Sequence, residues 1–381
     1  MYSVFVFFAG TSVFYHIIYI LSIYFYFITV RARQLTFHLN NCIIVIVKRK
    51  ANGSCLARRV RRARSDGDMV GGRMRIIEYK YPANDVVCGP LAACLGFFDG
   101  VHLGHRALIS DTVRYAAERG IESAVFTFPS EASGLKSDVP RIYTTEEKLR
   151  IFRELGVDVV VLCDFSSVFS LSASEFVSRV LYRDLGVRMA LSGEDFRFGY
   201  KASAGSAELI SLMRECGGDG VAHKMERYSL PEGSVEISAT LIRSYLSRGD
   251  VRTAAALLGA PYRISAPVVG GLGLGRGYGY PTLNTDIGTS PIKRGVYHTE
   301  VEIDGKLYTG LTNVGTCPTF GERAVHAESF LLDFSGDAYG CVAKISFVDF
   351  IRDERAFGSA EELRAEIDKN VKELLDKSGN R

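Results

Sequence analysis

Leu91-Ala92-Ala93-Cys94-Leu95-Gly96-Phe97-Phe98-Asp99-Gly100-Val101-His102-Leu103-Gly104-His105 decides the fold. Its first half is a continuous apolar run, the pattern of a strand covered on both faces. Its second half is a glycine turn leading into a helical pattern, Ala107 to Glu118, that Gly120 stops. Ser123 to Phe128 reads as the next strand, and strand–helix–strand order predicts a parallel α/β sheet. Outward from this unit the alternation continues. Met74 opens a first strand, Arg75 to Tyr79, and Thr144 starts a helix that ends near Gly156. Val157 to Leu162 is a β-branched strand, Ser172-Ala173-Ser174-Glu175 has the capping-box pattern of a helix ending near Gly186, and Val187 to Leu191 is a further strand.

Chemistry concentrates in the glycine turn. His102 and His105 stand three apart at a helix start, so they share one face. A helix N-terminus presents unpaired N–H groups and a positive dipole end, and Gly100 and Gly104 allow close approach of a phosphate. The pattern predicts a socket for a nucleoside triphosphate, with imidazoles stabilising charge on the transferring phosphate.

From Ile264 onward the pattern changes to short alternating runs separated by Gly and Asp turns. Asp304-Gly305 between the runs Gly295–Ile303 and Lys306–Leu311 is a hairpin signal. Several such strands followed by an amphipathic helix, Ser359 to Leu375, predict a small antiparallel barrel. Gly271-Leu272-Gly273-Leu274-Gly275-Arg276-Gly277-Tyr278-Gly279-Tyr280-Pro281-Thr282-Leu283-Asn284 is glycine-rich but lacks the Gly-Lys-Ser/Thr of a Walker loop. Alternation puts Thr282 and Asn284 on one side of an extended segment, where a hydroxyl and an amide oxygen suit Mg²⁺ beside phosphate oxygens.

These stretches resemble the bacterial bifunctional riboflavin kinase/FMN adenylyltransferase (FAD synthetase) family. Gly96 to His105 resembles its nucleotidyltransferase signature, Gly193-Glu194-Asp195-Phe196-Arg197-Phe198-Gly199 its G-x-D-F-x-F-G segment, and Ile237-Ser238-Ala239-Thr240-Leu241-Ile242-Arg243 its I-S-S-T-x-I-R segment. The glycine-rich block resembles its riboflavin kinase signature, joined by Asn313-Val314-Gly315, by Glu328 to Phe334 and by Arg352-Asp353-Glu354-Arg355-Ala356-Phe357. The resemblance covers about residues 85–375. It implies a Rossmann-like nucleotidyltransferase domain, 74–258, and a riboflavin kinase β-barrel with a terminal helix, 259–381. Implied ATP contacts in the first are Gly96, Phe97, Asp99, Gly100, His102, His105, Ser238, Thr240 and Arg243, with Asp195, Phe196 and Phe198 on the flavin. In the second, Gly273, Gly275, Gly279, Thr282 and Asn284 would bind ATP, Thr282 and Asn284 the Mg²⁺, Arg352 would sit near the flavin, and Glu328 would be the base. The substrates would be ATP, riboflavin and FMN.

The chain departs from the family at four places. Pro129-Ser130-Glu131 replaces a Pro-His-Pro stretch, Ala239 replaces a serine, no arginine follows Gly199, and Phe330 replaces a histidine. A kinase with a weakened adenylyltransferase is therefore a second reading.

Charge is divided unevenly. Residues 1–73 hold 11 Lys/Arg against 2 Asp/Glu, a net of +9, and the remaining 35 basic against 41 acidic residues leave −6. Nothing beyond the first fifth suggests a nucleic-acid partner. Met1 to Val30 has no charged residue and eleven aromatics, with Arg31 and Arg33 following. Two readings stand for residues 1–73: upstream sequence translated from an early start, or a membrane anchor with a cytoplasmic body. The eight scattered cysteines form no CxxC or Cys/His cluster and read as reduced cytoplasmic thiols rather than a zinc site. Oligomeric state is not legible.

Overall fold

The computed structural model describes residues 74–83, 89–131, 139–224, 227–231, 233–270, 282–316, 325–336, 338–355 and 357–378, with the backbone of three strands before them. Contacts divide the chain into Met1–Met69 and Val70–Arg381. In the first unit Ser3–Val4, Cys42–Val47 and Gln34–Leu39 form an antiparallel sheet in that order. The segment Met1 to Val30, read either as upstream sequence translated from an early start or as an anchor, otherwise lies outside the described residues. Among the described residues no helix is long and apolar enough to cross a membrane.

The second unit opens with the parallel sheet. Its strands are β1 (Arg75–Tyr79), β2 (Leu91–Leu95), β3 (Glu122–Thr127), β4 (Val159–Cys163), β5 (Val187–Gly193) and β6 (Asp219–His223). Their order is β6-β5-β2-β3-β4-β1, every pair parallel. The apolar run Leu91–Leu95 is wholly buried, as a strand flanked by helices on both sides must be. Helix α1 (Leu103–Arg119) returns the chain from β2 to β3, and α2 (Thr145–Glu154) leads into β4. The chain then reverses direction across the sheet, so the switch point lies between β2 and β5. Open α/β sheets bind ligands at the carboxyl ends of the strands there. The Ser172 capping box forms, and the helix it opens runs as a π-helix over Phe176–Asp184.

Helices α3 (Ser206–Glu215), α4 (Ala239–Arg248) and α5 (Val251–Leu258) complete this half. A closed antiparallel barrel follows: β7 (Tyr262–Val269), β8 (Thr282–Gly288), β9 (Gly295–Ile303), β10 (Lys306–Thr316), β11 (Val325–Leu331) and β12 (Val342–Arg352), in the order β7-β8-β11-β10-β9-β12. Closure removes the open edges that a short-stranded sheet would expose. Asp304-Gly305 forms the predicted hairpin turn, with Ile303 opposite Lys306. The last helix, α6 (Ala360–Ser378), runs three residues past the predicted end.

Sheet and barrel share one apolar core, in which Tyr143 stacks on Tyr262 at 5.8 Å between ring centres and Tyr262 on Phe347 at 5.8 Å. A charged clasp closes the seam. Glu147 of α2, 3% exposed, accepts from Arg263 Nε at 3.0 Å and Ser265 Oγ at 3.3 Å on β7, and pairs with Arg150 at 2.7 Å. Removing one partner of a buried ion pair strands the other charge, so Glu147→Ala is expected to cost about 3 kcal/mol. A fall in the thermal midpoint of the whole unit checks it.

Candidate active sites

The turn after β2 is held in an unusual shape. Phe98 is left-handed at φ 56°, and Gly100 has φ 78° with Ile142 Cδ1 only 2.9 Å from where a β-carbon would stand. Asp99, 5% exposed, does not face solvent. Its carboxylate accepts from the Ile142 amide at 2.9 Å and from Arg243 Nη1 at 2.6 Å, while Arg243 Nη2 reaches Thr240 Oγ1 at 3.3 Å. The first and third motifs, 144 residues apart in the chain, are thus one assembly. Ser238 serves as the N-cap of α4, accepting from the Leu241 amide at 3.2 Å.

His102 caps α1, its Nδ1 accepting from the His105 amide at 3.4 Å. The two imidazoles stack with centres 3.6 Å apart. His102 is 2% exposed, and His105 Nδ1 is buried without a hydrogen-bond partner. Burial pushes His102 down to about 4. Burial first, then His102 and Lys148, hold His105 well below the usual range. Both rings are therefore neutral at pH 7. An orphaned polar atom costs free energy that an incoming ligand recovers.

The depressed His102 has a stability consequence. Between pH 6.5 and about 4 the unfolded chain binds a proton that the folded chain does not, so stability falls as pH drops through that window. The loss reaches about 3 kcal/mol below it. Melting curves at pH 7 and at about pH 4 are expected to show this loss shrinking in His102→Asn, which keeps a capping oxygen.

At the end of β5, Gly193 sits against Asp195, whose Oδ1 lies 2.8 Å from where a β-carbon would be. Phe196 stacks on Phe198 at 5.7 Å, and Phe198 packs on Phe176 in the core at 7% exposure. Phe198 therefore supports Phe196 from beneath, and of the three expected flavin residues Asp195 is exposed and Phe196 half-buried.

On the barrel, Gly273, Gly275 and Gly279 lie outside the described residues. Thr282 and Asn284 open β8, Asn284 pairs with Glu328 of β11, and Glu328 pairs with Asn313 of β10. Directly opposed residues share a face, so Asn284, Glu328 and Asn313 form a row across three strands. The inner residues Ala327, Ser329 and Leu331 are buried, which turns Glu328 outward. Gly315, without a side chain, admits the Glu354 carboxylate to a position that a β-carbon would occupy. Glu328 as a residue is exposed, yet the surrounding strands strip hydration from its carboxyl group. That loss, with Glu354 adding to it, raises its pKa. Hydroxyl, amide and carboxylate oxygens are the hard donors that suit Mg²⁺. Arg352, at the end of β12, is tied to α6 through Asn370 Oδ1 at 3.2 Å and Glu366 at 3.5 Å.

Sequence reasoning named neither Asn313, Glu354 nor Lys148 as site residues. The first two stood inside quoted motifs, but their approach to Glu328 depends on barrel register. Lys148 carried a signal: it shares the apolar stripe of α2 with Ile151 and Phe152, all three buried.

A parallel sheet with a histidine-bearing turn at its switch point, fused to a barrel bearing a carboxylate among amides, defines a two-site nucleotide-dependent transferase. The FAD synthetase family pattern matches residues 88–240 and the riboflavin kinase pattern residues 258–377. Curated relatives named bifunctional riboflavin kinase/FMN adenylyltransferase include that of Bacillus subtilis, 35% identical across 74% of this chain and 90% of that protein. Those of Haemophilus influenzae (32%, 78% and 97%) and Escherichia coli K12 (36%, 72% and 88%) are similar. A crystal structure described as the macrolide-efflux protein of Streptococcus pneumoniae matches with TM-score 0.66 and 28% identity, across 78% of this chain and 98% of that one. The chain belongs to the bifunctional riboflavin kinase/FMN adenylyltransferase family. It phosphorylates riboflavin to FMN and adenylylates FMN to FAD, and the matches to both domains and to bifunctional relatives support this reading rather than the kinase with a weakened adenylyltransferase.

Proposed function

We propose that the two reactions divide between the halves, 259–381 carrying the kinase and 74–258 the adenylyltransferase. In the barrel, Glu328 accepts the proton of the riboflavin 5′-hydroxyl as that oxygen attacks the γ-phosphorus of ATP and ADP leaves. A raised carboxyl pKa suits a base, and the acid limb of the kinase pH profile moves up with it. Thr282 and Asn284 would hold Mg²⁺, which neutralises phosphate charge when bound. In the sheet domain, an FMN phosphate oxygen attacks the α-phosphorus of a second ATP and pyrophosphate leaves. His102 and His105 meet the triphosphate at the N-terminus of α1, Ser238, Thr240 and Arg243 meet it from α4, and Asp195 and Phe196 face the flavin. Gly96, Phe97, Asp99 and Gly100 shape that pocket, while Gly273, Gly275 and Gly279 contribute to the kinase ATP site and Arg352 lies by its flavin.

The observation that carries the reading is the convergence within each half: Asp99, Arg243 and the histidine pair on the sheet, and Asn284, Glu328 and Asn313 on the barrel. The chain works in the cytoplasm on this reading, where the thiols of Cys94, Cys163, Cys216 and Cys341 stay reduced. The full chain, supplied with riboflavin, ATP and Mg²⁺, is expected to form FMN and then FAD. Both products should cease with excess EDTA and return with added Mg²⁺. Either product persisting under EDTA overturns the metal assignment.

A further inference from the structure

We propose that Lys148 is a positioning residue for adenylylation, fixing from inside the protein the turn that meets ATP. The proposal rests on the assignment of that turn to ATP made above.

Lys148 of α2 has no solvent exposure. Its Nζ donates to the Phe97 carbonyl at 3.0 Å and the Phe128 carbonyl at 2.9 Å, with Thr127 Oγ1 at 3.5 Å. Phe97 lies in the glycine turn after β2, and Thr127 and Phe128 lie at the end of β3. One ammonium group therefore ties together two adjacent strand ends on the ligand-binding edge of the sheet. The Phe97 ring, 4.6 Å from the same nitrogen, lies against it as a cation–π partner. Beyond Phe98 the turn continues to Asp99, which holds Arg243, and to the histidine pair, so an error at Phe97 reaches the histidines and, through Asp99, Arg243.

Burying an ammonium is expensive, and methionine would fill the same space at little cost. The charge is thus explained by the three acceptors rather than by packing. Asp99 and Glu131 favour the charged form and Arg141 opposes it, but burial dominates and lowers the lysine to about 8. His105 also faces it. The neutral amine has one donor fewer than the ammonium, so one of the three acceptors is released as the proton leaves.

Lys148→Met in the full chain is expected to raise the KM for ATP in FMN adenylylation by about tenfold or more, since small misplacements of binding groups are costly. The KM for FMN and the riboflavin kinase rate should stay within about twofold. A role in packing alone would lower the melting temperature and the active fraction and leave the KM for ATP where it was. A folded Lys148→Met enzyme with an unchanged KM for ATP overturns the proposal. Should that variant not fold, the wild-type chain decides. A KM for ATP that rises as pH passes upward through about 8 supports it, and a flat profile overturns it. His102→Ala separates the two levels. If it leaves adenylylation intact, the ATP assignment of the turn fails. If it abolishes adenylylation while Lys148→Met does not change the KM, only the role of Lys148 fails.

Discussion

Glu328→Gln is expected to slow riboflavin phosphorylation by about 10²- to 10⁴-fold while adenylylation of supplied FMN keeps its wild-type rate. Glutamine preserves the side-chain length and the pairing of residue 328 with Asn284 and Asn313, both set by backbone register. It removes the negative charge and basicity that the proposed proton transfer from the 5′-hydroxyl requires. The residue lies on the outer face of a closed barrel, so its replacement leaves the interior row Ala327, Ser329 and Leu331 untouched. Chromatography of flavins from parallel reactions, one given riboflavin and one FMN, reads both activities in one preparation. Retention of kinase activity would remove Glu328 as the base. Loss of both activities would contradict independent sites.

The second large effect is expected at the histidine pair. His105→Ala should reduce FMN adenylylation by about 10²- to 10³-fold, the cost of removing one preorganised donor at a site of developing charge. Two imidazoles stacked at 3.6 Å cannot readily both be protonated, and burial already keeps them neutral. On the proposed reading a triphosphate would bring negative charge to the pair and supply the partner that the His105 ring lacks. Alanine is well tolerated in a helix, and the cap is supplied by His102, so α1 should persist. Kinase activity of the same sample, expected unchanged, controls for folding. An adenylylation rate within about threefold of wild type would remove His105 from the site.

Much of the architecture is legible in the amino-acid sequence. The buried run Leu91–Leu95, the Gly120 stop and the Asp304-Gly305 turn each reflect a local rule: period, left-handed backbone, or twist. The Ser172 capping box was equally local, yet the helix it opens is a π-helix over Phe176–Asp184, a variant that no local pattern marked.

Which residues could do chemistry here was readable from the chain, because side-chain type and spacing within one element are properties of a few neighbouring residues. His102 and His105 share a face for that reason, as do Thr282 and Asn284. What Asp99, Lys148, Phe198 and Glu354 do emerges from the fold, because each acts on a partner from a distant element. Asp99 grips Arg243, Lys148 ties the ends of β2 and β3, Phe198 sinks into the core, and Glu354 comes over Gly315. Strand order and barrel register create those meetings. They are set by the burial of the whole apolar surface at once, which no single stretch of chain encodes.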